Sequence, residues 1–316
     1  MQSPAFRGIL LNMEIRITER EDGQLLRGYL RGTLGFSGTL IKQLKYAENG
    51  LMLNGQRVTV RAILHTGDHL SLAVEEEHGT HASLSPRELP CDLLYDDGAI
   101  ALFSKPSGMP THPSRRHPDD TLANAAAFLF REETEPFVFR VTTRLDADVS
   151  GAVLIARKKL YAARLCAAVG SGQIEKTYLA VCDGIPSAPS GSVTGYVRRV
   201  YDSIITRELT DDPSAGGSFS RTDWRLLAVG EGRSLIEVHP FTGKTHQIRL
   251  AMRHLGCPIA GDGFYGDADS APRCMLHAAR LRFSHPADGR RMDLSAPLYE
   301  DMKTMIEKYF GKDQNV

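Results

Sequence analysis

The sequence predicts an α+β protein. Its larger part is expected to fold around a central mixed, largely antiparallel sheet, and a small α+β domain is expected ahead of it. Three observations carry this. From residue 91 onward, strand and helix patterns interleave without a strict repeat, and some strands are joined as hairpins, which argues against a purely doubly wound sheet. Residues 25–61 carry six basic side chains and one acid in a chain whose Lys+Arg and Asp+Glu both number 38. Residues 75–90 are polar, hold Pro86 and Pro90 and show no periodicity, as a linker does. The expected organisation is therefore a small domain at 12–75, a linker at 76–90 and a large domain at 91–316.

In the small domain, Leu26, Leu30 and Leu34 recur at helical spacing, weakened by Gly28 and Gly32. Ser37 is placed to cap a second helix with Leu40, Ile41 and Leu44 inside and Lys42 and Lys45 outside. Asn54-Gly55 between short apolar stretches is a type I′ hairpin signal, and Gly67-Asp68 precedes an alternating strand at 69–74. In the large domain, strands are expected at 99–104, 153–157, 176–182 and 234–239. Asp120 or Thr121 caps a helix running to Phe130; Lys159 starts another, stopped by Gly170. Thr245 opens a helix with Ile248, Ala251, Met252 and Leu255 inside, closed by Gly256, and LRF and RMDL pair across Asp288 and Gly289. The segment 203–220, with Asp211 and Pro213 and two glycines, reads as a loop-like accessory element.

Composition limits the function. With 42% hydrophobic and 24% charged residues the chain is an ordinary folded one, and zero formal net charge argues against a global polycation. The longest apolar runs are too short to span a bilayer, and no secretory signal is visible. Five scattered cysteines without a CxxC pair read as reduced thiols of a cytoplasmic protein. His65, His69, His78 and His81 lack cysteine or carboxylate companions at zinc-like spacing, so no metal site is expected. GDGFYG at 261–266 matches G-x-G-x-x-G, but Pro272 and a non-helical run follow it, so it reads as a glycine-rich turn and not a dinucleotide site. No cofactor motif is present.

Two segments look chemical. TRLDADVSG at 143–151 places Asp146 on a short turn between apolar strands, next to Arg144 and two residues before Asp148. On the helix after Thr245, His246, Arg249 and Arg253 fall on one cationic face at steps of three and four, able to lie against a carboxylate or a phosphate.

Together with KPSGMPTHP at 105–113, KTYLAV at 176–181, TGKTHQIRLAM at 242–252, GDGFYG and LHAARLRFSHP at 276–286, these segments resemble, in order, the motifs of the RluA/RluD-type pseudouridine synthases. Residues 12–75 similarly resemble the RNA-binding domain first seen in ribosomal protein S-four. The resemblance implies the pseudouridine synthase fold and isomerisation of uridines in ribosomal or transfer RNA by a cytoplasmic monomer without cofactor. It implies Asp146 as the nucleophilic aspartate, Tyr178 as the tyrosine packed on the target base and Arg249 as the aspartate's partner. It implies RNA contacts for Arg144, Lys105, Lys176, Lys244 and His246, and for Lys42 and Lys45 of the small domain. The chain departs from the synthase pattern at Thr143 (usually histidine), Val149 (threonine), Lys244 (arginine) and Ala251 (histidine), and from the S-four pattern at Gly38 (arginine).

The chemistry fits those residue types. Turning a uridine into its C-glycoside breaks the sugar bond to ring nitrogen and forms one to ring carbon 5, with no net oxidation. The nucleotide must first leave its stack. A carboxylate works as nucleophile or base only when ionised, and a nearby arginine is expected to lower its pKa. Two rivals remain: an inactive RNA-binding, ribosome-associated homologue, and a hydrolase using Asp146 with Asp148.

Overall fold

The computed structural model describes residues 10–75, 84–133, 137–201, 203 and 205–311. His78 and His81, and most of the segment read as a linker, lie outside the described residues.

The first elements are β1 (Leu10–Arg16), α1 (Leu26–Gly28), α2 (Gly38–Tyr46), β2 (Leu51–Leu53), β3 (Gln56–Arg57) and β4 (His69–Glu75), with the sheet in the order β1-β4-β2-β3. The leucine spacing did not give a regular helix. After α1 the chain continues as a π turn over Tyr29–Thr33, and Leu26, Leu30 and Leu34 are all buried. Gly28 and Gly32 lie in this stretch, where α-helix is least favoured. The side chain of Ser37 accepts from the Leu40 amide at 3.1 Å and starts α2, which buries Leu40, Ile41 and Leu44 and exposes Lys42 and Lys45. Asn54 and Gly55 take φ of 51° and 77°, the left-handed pair a type I′ hairpin needs.

The large sheet is built from β5 (Asp92–Asp96), β6 (Ile100–Lys105), β7 (Arg140–Val141), β8 (Ser150–Ala156), β9 (Glu175–Asp183), β10 (Ser190–Arg199), β11 (Arg207–Thr210), β12 (Ser218–Gly230), β13 (Arg233–Pro240), β14 (Leu276–Ser284) and β15 (Arg291–Ser295). Its order is β11-β10-β12-β13-β9-β14-β8-β6-β5, with β15 beside β14 and β7 beside β8. Helices α3 (Leu122–Leu129), α4 (Lys159–Gly170), α5 (Gln247–His254) and α6 (Glu300–Phe310) accompany it. Among the described pairings only β8–β14 is parallel, so the sheet is mixed and largely antiparallel, as expected. Its strands β6 and β8 are buried along their whole length, which suits continuous apolar runs.

The parallel pairing has a specific requirement. Gly151 has φ of 112°, and a Cβ there would lie 2.3 Å from the carbonyl oxygen of Ala278. Glycine therefore lets β8 approach β14 directly after the loop that carries Asp146. Beside it, buried His277 takes a hydrogen bond from Ser150 at 2.9 Å on Nδ1 and donates to the Ala296 carbonyl from Nε2. Burial pushes its pKa down to about 4, so it is a neutral structural imidazole.

One expectation needs correction. The segment 203–220 is not simply loop: it contributes edge strand β11 and the start of β12, and β10 pairs with both. The four-residue length of β11 is too short to declare itself as a pattern.

Candidate active site

Asp146 sits on the loop between β7 and β8, and that loop is tied down along its length. The Gly108 amide donates to the Ala147 carbonyl at 2.8 Å, Thr111 Oγ1 to the Leu145 carbonyl at 2.8 Å, and Ser107 Oγ to the Asp148 carbonyl at 2.8 Å. Lys105 closes the set. Its ammonium donates to the carbonyls of Pro106, Met109 and Ala147 at 2.8, 2.7 and 3.1 Å, and the residue is fully buried. The expectation that Lys105 contacts RNA is therefore corrected: its charge is consumed by backbone oxygens inside the protein. Burial draws its pKa down to about 7, against the pull of Asp148 and Asp146. Thr143, where the family usually has histidine, is buried and accepts the Leu154 amide at 2.9 Å, so this departure serves the loop's own backbone.

The loop faces a cleft of about 390 Å³ whose walls include Arg144, Asp146, Lys176, Tyr178, Lys244, His246 and Arg249. Seven of the residues singled out in the sequence thus meet at one place, from the 142–149 loop, from β9, and from α5 and the segment leading into it. Arg144 is exposed. The buried Lys176 donates to the Thr242 carbonyl at 3.2 Å, and burial lowers its pKa. Tyr178 is buried apart from its cleft side, and burial, reinforced by the Asp146 charge, holds its hydroxyl protonated. Lys42 and Lys45 stand apart, on α2 of the small sheet.

Arg249 is not on a solvated cationic face. It is 1% exposed and turned inward, whereas Arg253 on the same helix is exposed. The physical reason is Asp262, which is itself fully buried in the 261–266 turn. Arg249 grips it in bidentate fashion, Nε to Oδ2 at 2.7 Å and Nη2 to Oδ1. Asp262 Oδ1 also accepts the amides of Phe264 and Tyr265 at 2.9 and 3.2 Å. Nη1 of Arg249 then reaches Asp148 at 2.8 Å and Asp146 at 3.8 Å. The arginine is thus shared among three carboxylates, and Asp146 receives the weakest share.

This changes the electrostatics expected from sequence. The pKa of Asp146 is raised, not lowered: burial dominates, the neighbouring His246 and Arg249 oppose it, and Asp148 adds to it. Arg249 is present, but most of its charge answers Asp262 and Asp148.

Helix α5 begins at Gln247, two residues later than the expected Thr245, because His246 takes the left-handed conformation (φ 59°, ψ 17°) as its N-cap. Its Nε2 lies 3.8 Å from Asp146 Oδ2, its Nδ1 2.8 Å from the Tyr265 hydroxyl, and its ring stacks on Phe264 at 5.4 Å between centroids. Asp262, Phe264 and Tyr265 were not singled out from the sequence, and Asp148 was weighed only as a hydrolase acid. No local pattern links Arg249 to an aspartate 13 residues on, although an aspartate between two glycines of a tight turn was the available hint.

The chain has relatives among known proteins. A curated protein of Bacillus subtilis, described as the uncharacterized RNA pseudouridine synthase YjbO, is 32% identical over 277 residues, which span 87% of this chain and 96% of that one. The chain belongs to the RNA pseudouridine synthase family. It is an isomerase that acts on RNA, of the RluA/RluD type. The family model for RNA pseudouridylate synthase matches residues 99–254, a span that includes Asp146, Tyr178 and Arg249. The ribosomal large subunit pseudouridine synthase D of Xanthomonas campestris is 32% identical across 81% of this chain and 80% of its own length. In fold, the human RNA pseudouridylate synthase domain containing 1 superposes with a TM-score of 0.58 at 23% identity, over 71% of this chain and 89% of that one.

Proposed function

We propose that this synthase isomerises a uridine of ribosomal RNA with Asp146 as its catalytic carboxylate, working as a cytoplasmic monomer. Among its relatives, large-subunit synthases match four-fifths of this chain, which favours ribosomal over transfer RNA. Residues 12–75 serve as the RNA-binding domain, with Lys42 and Lys45 toward phosphates, and 91–316 form the catalytic domain. The observation that carries the reading is the position of Asp146: its side chain, 32% exposed, looks into the cleft that Tyr178 also lines, 3.8 Å from both Arg249 and His246.

The target uridine enters flipped from its stack, at a cost of a few kcal/mol. Tyr178 offers its ring as the platform, and stacking returns about 1–3 kcal/mol. Asp146 acts while ionised, as nucleophile or as base, and any bond or proton it takes is given up again before the product leaves. The sugar bond to ring nitrogen 1 breaks, the base turns in the cleft, and the sugar joins ring carbon 5. The proton from carbon 5 leaves and nitrogen 1 gains one, so atoms balance without an oxidant. Arg144, Lys176 and Lys244 face the anionic backbone around the cleft. The bonds that pin the 142–149 loop hold the carboxylate for attack, and such orientation is a large part of rate enhancement.

Asp146→Asn tests this. A deletion strain complemented with this variant is expected to lack the pseudouridine that the wild-type gene restores, as read by a pseudouridine-specific chemical probe across total RNA. Restoration by the variant would remove Asp146 from the chemistry, and a site mapped in transfer RNA would overturn the substrate class.

A further inference from the structure

His246 has a geometry that a simple phosphate contact does not require. It is 8% exposed, it stacks on Phe264, and as a non-glycine residue it holds a left-handed backbone that few residues adopt. That backbone aims the ring between Tyr265 and Asp146.

Its tautomer follows from proton counting. The Tyr265 hydroxyl accepts the backbone N–H of Arg207, on β11, at 2.8 Å. The phenol has one proton to give, and its other close neighbour is His246 Nδ1 at 2.8 Å. The opposite arrangement would leave that proton without an acceptor among the described residues, on a tyrosine only 7% exposed. Nδ1 is therefore the acceptor and the ring proton sits on Nε2, the atom that faces Asp146 Oδ2 at 3.8 Å. Arg249 is a poorer donor to Asp146, because its shortest contacts are to Asp262 and Asp148.

We propose that His246 is a positioning residue for Asp146: a neutral imidazole, fixed in its Nε2–H form by the Tyr265 hydroxyl, that donates to the carboxylate as the cleft tightens on RNA. Catalytic hydrogen bonds commonly shorten only with substrate bound, so the 3.8 Å separation is within reach of that contact. Burial lowers the pKa of His246, in keeping with a neutral ring. The charged and titratable groups facing the pair are Arg144 and Asp148 from the loop, Arg249 from α5, Asp262 and Tyr265 from the 261–266 turn, and Tyr178 and Lys105 from the sheet. The chain thus runs from the accessory edge strand through Tyr265 and His246 to the carboxylate. The proposal rests on the Asp146 reading.

The test is single-turnover release of the carbon-5 proton, from an in vitro transcript carrying the uridine mapped in the deletion strain, measured from pH 5 to 8. His246→Leu is expected to slow the chemical step about ten- to hundredfold, the worth of a hydrogen bond to a charged group, and to move the acid limb upward. His246→Gln, whose side-chain N–H replaces Nε2–H, is expected to recover most of that loss. Tyr265→Phe is expected to move the acid limb upward with the KM for RNA unchanged. Equal defects in the Leu and Gln variants, or a raised KM with an unmoved limb, would make His246 an RNA contact and overturn the proposal. Failure of the Asp146 reading is separate, since it appears as turnover by Asp146→Asn.

Discussion

Asp146 carries opposite demands. In the proposed chemistry it must be ionised to react, yet burial and Asp148 hold its pKa above the ordinary carboxylate range. A carboxyl group whose pKa is higher in the folded than in the unfolded state stabilises the fold at low pH, and that stability is lost as pH rises through the folded value. At pH 7 the charge therefore works against the fold. Asp146→Asn is expected to melt about 1–3 °C higher than wild type at pH 7, with the difference fading at about pH 3, below the ordinary aspartate pKa, where the carboxyl is mostly protonated in the folded and unfolded chain alike. Thermal melts at the two pH values read this directly, and a less stable Asn variant at pH 7 would contradict it. The same shift places the acid limb of the wild-type rate above the usual carboxylate range.

The element that organises the cleft is α5 with the turn that follows it. Arg249 and Asp262 are a buried ion pair, and removing one partner of such a pair costs about 3–5 kcal/mol because the other charge is left uncompensated. Arg249→Met should lower urea stability by that order. Adding Asp262→Asn should restore part of it while turnover stays absent, which separates the fold's need for the pair from the reaction's. Equal stability of single and double variants would show that the pair is not coupled. This element also marks the limit of what sequence conveys. The apolar stripe of α5, the Ser37 cap, the Asn54-Gly55 hairpin and the 143–151 loop were legible because each is a local pattern with a local cause. The inward turn of Arg249 was not, since its partner lies in another segment and helical spacing alone places it with Arg253. Nor was the burial of Lys105, whose acceptors are backbone carbonyls that no residue identity advertises. The raised pKa of Asp146 was not legible either, because it comes first from burial, which no local pattern conveys, and Arg249, shared among three carboxylates, offsets only part of it.

For the molecule as a whole, the basic face of α2 and the cleft lie on separate sheets. Lys42→Ala with Lys45→Ala is expected to raise the KM for RNA and leave kcat unchanged. Each lost phosphate contact should flatten the plot of log affinity against log salt by about 0.7–0.9. Salt titrations of binding with wild type and double variant measure it, and an unchanged slope would place the RNA grip elsewhere.

The two sheets are joined by more than chain. Leu160 of α4 lies inside the hydrophobic cluster of the N-terminal sheet, and Gly35, at φ 64°, approaches Ala167 so closely that an added Cβ would lie 1.9 Å from the alanine methyl. The proposed grip and the cleft are thereby joined by packing as well as by chain. On the proposed reading, an RNA held by α2 would present to the cleft only nucleotides at a restricted offset, and the choice of target would become in part a measurement of length.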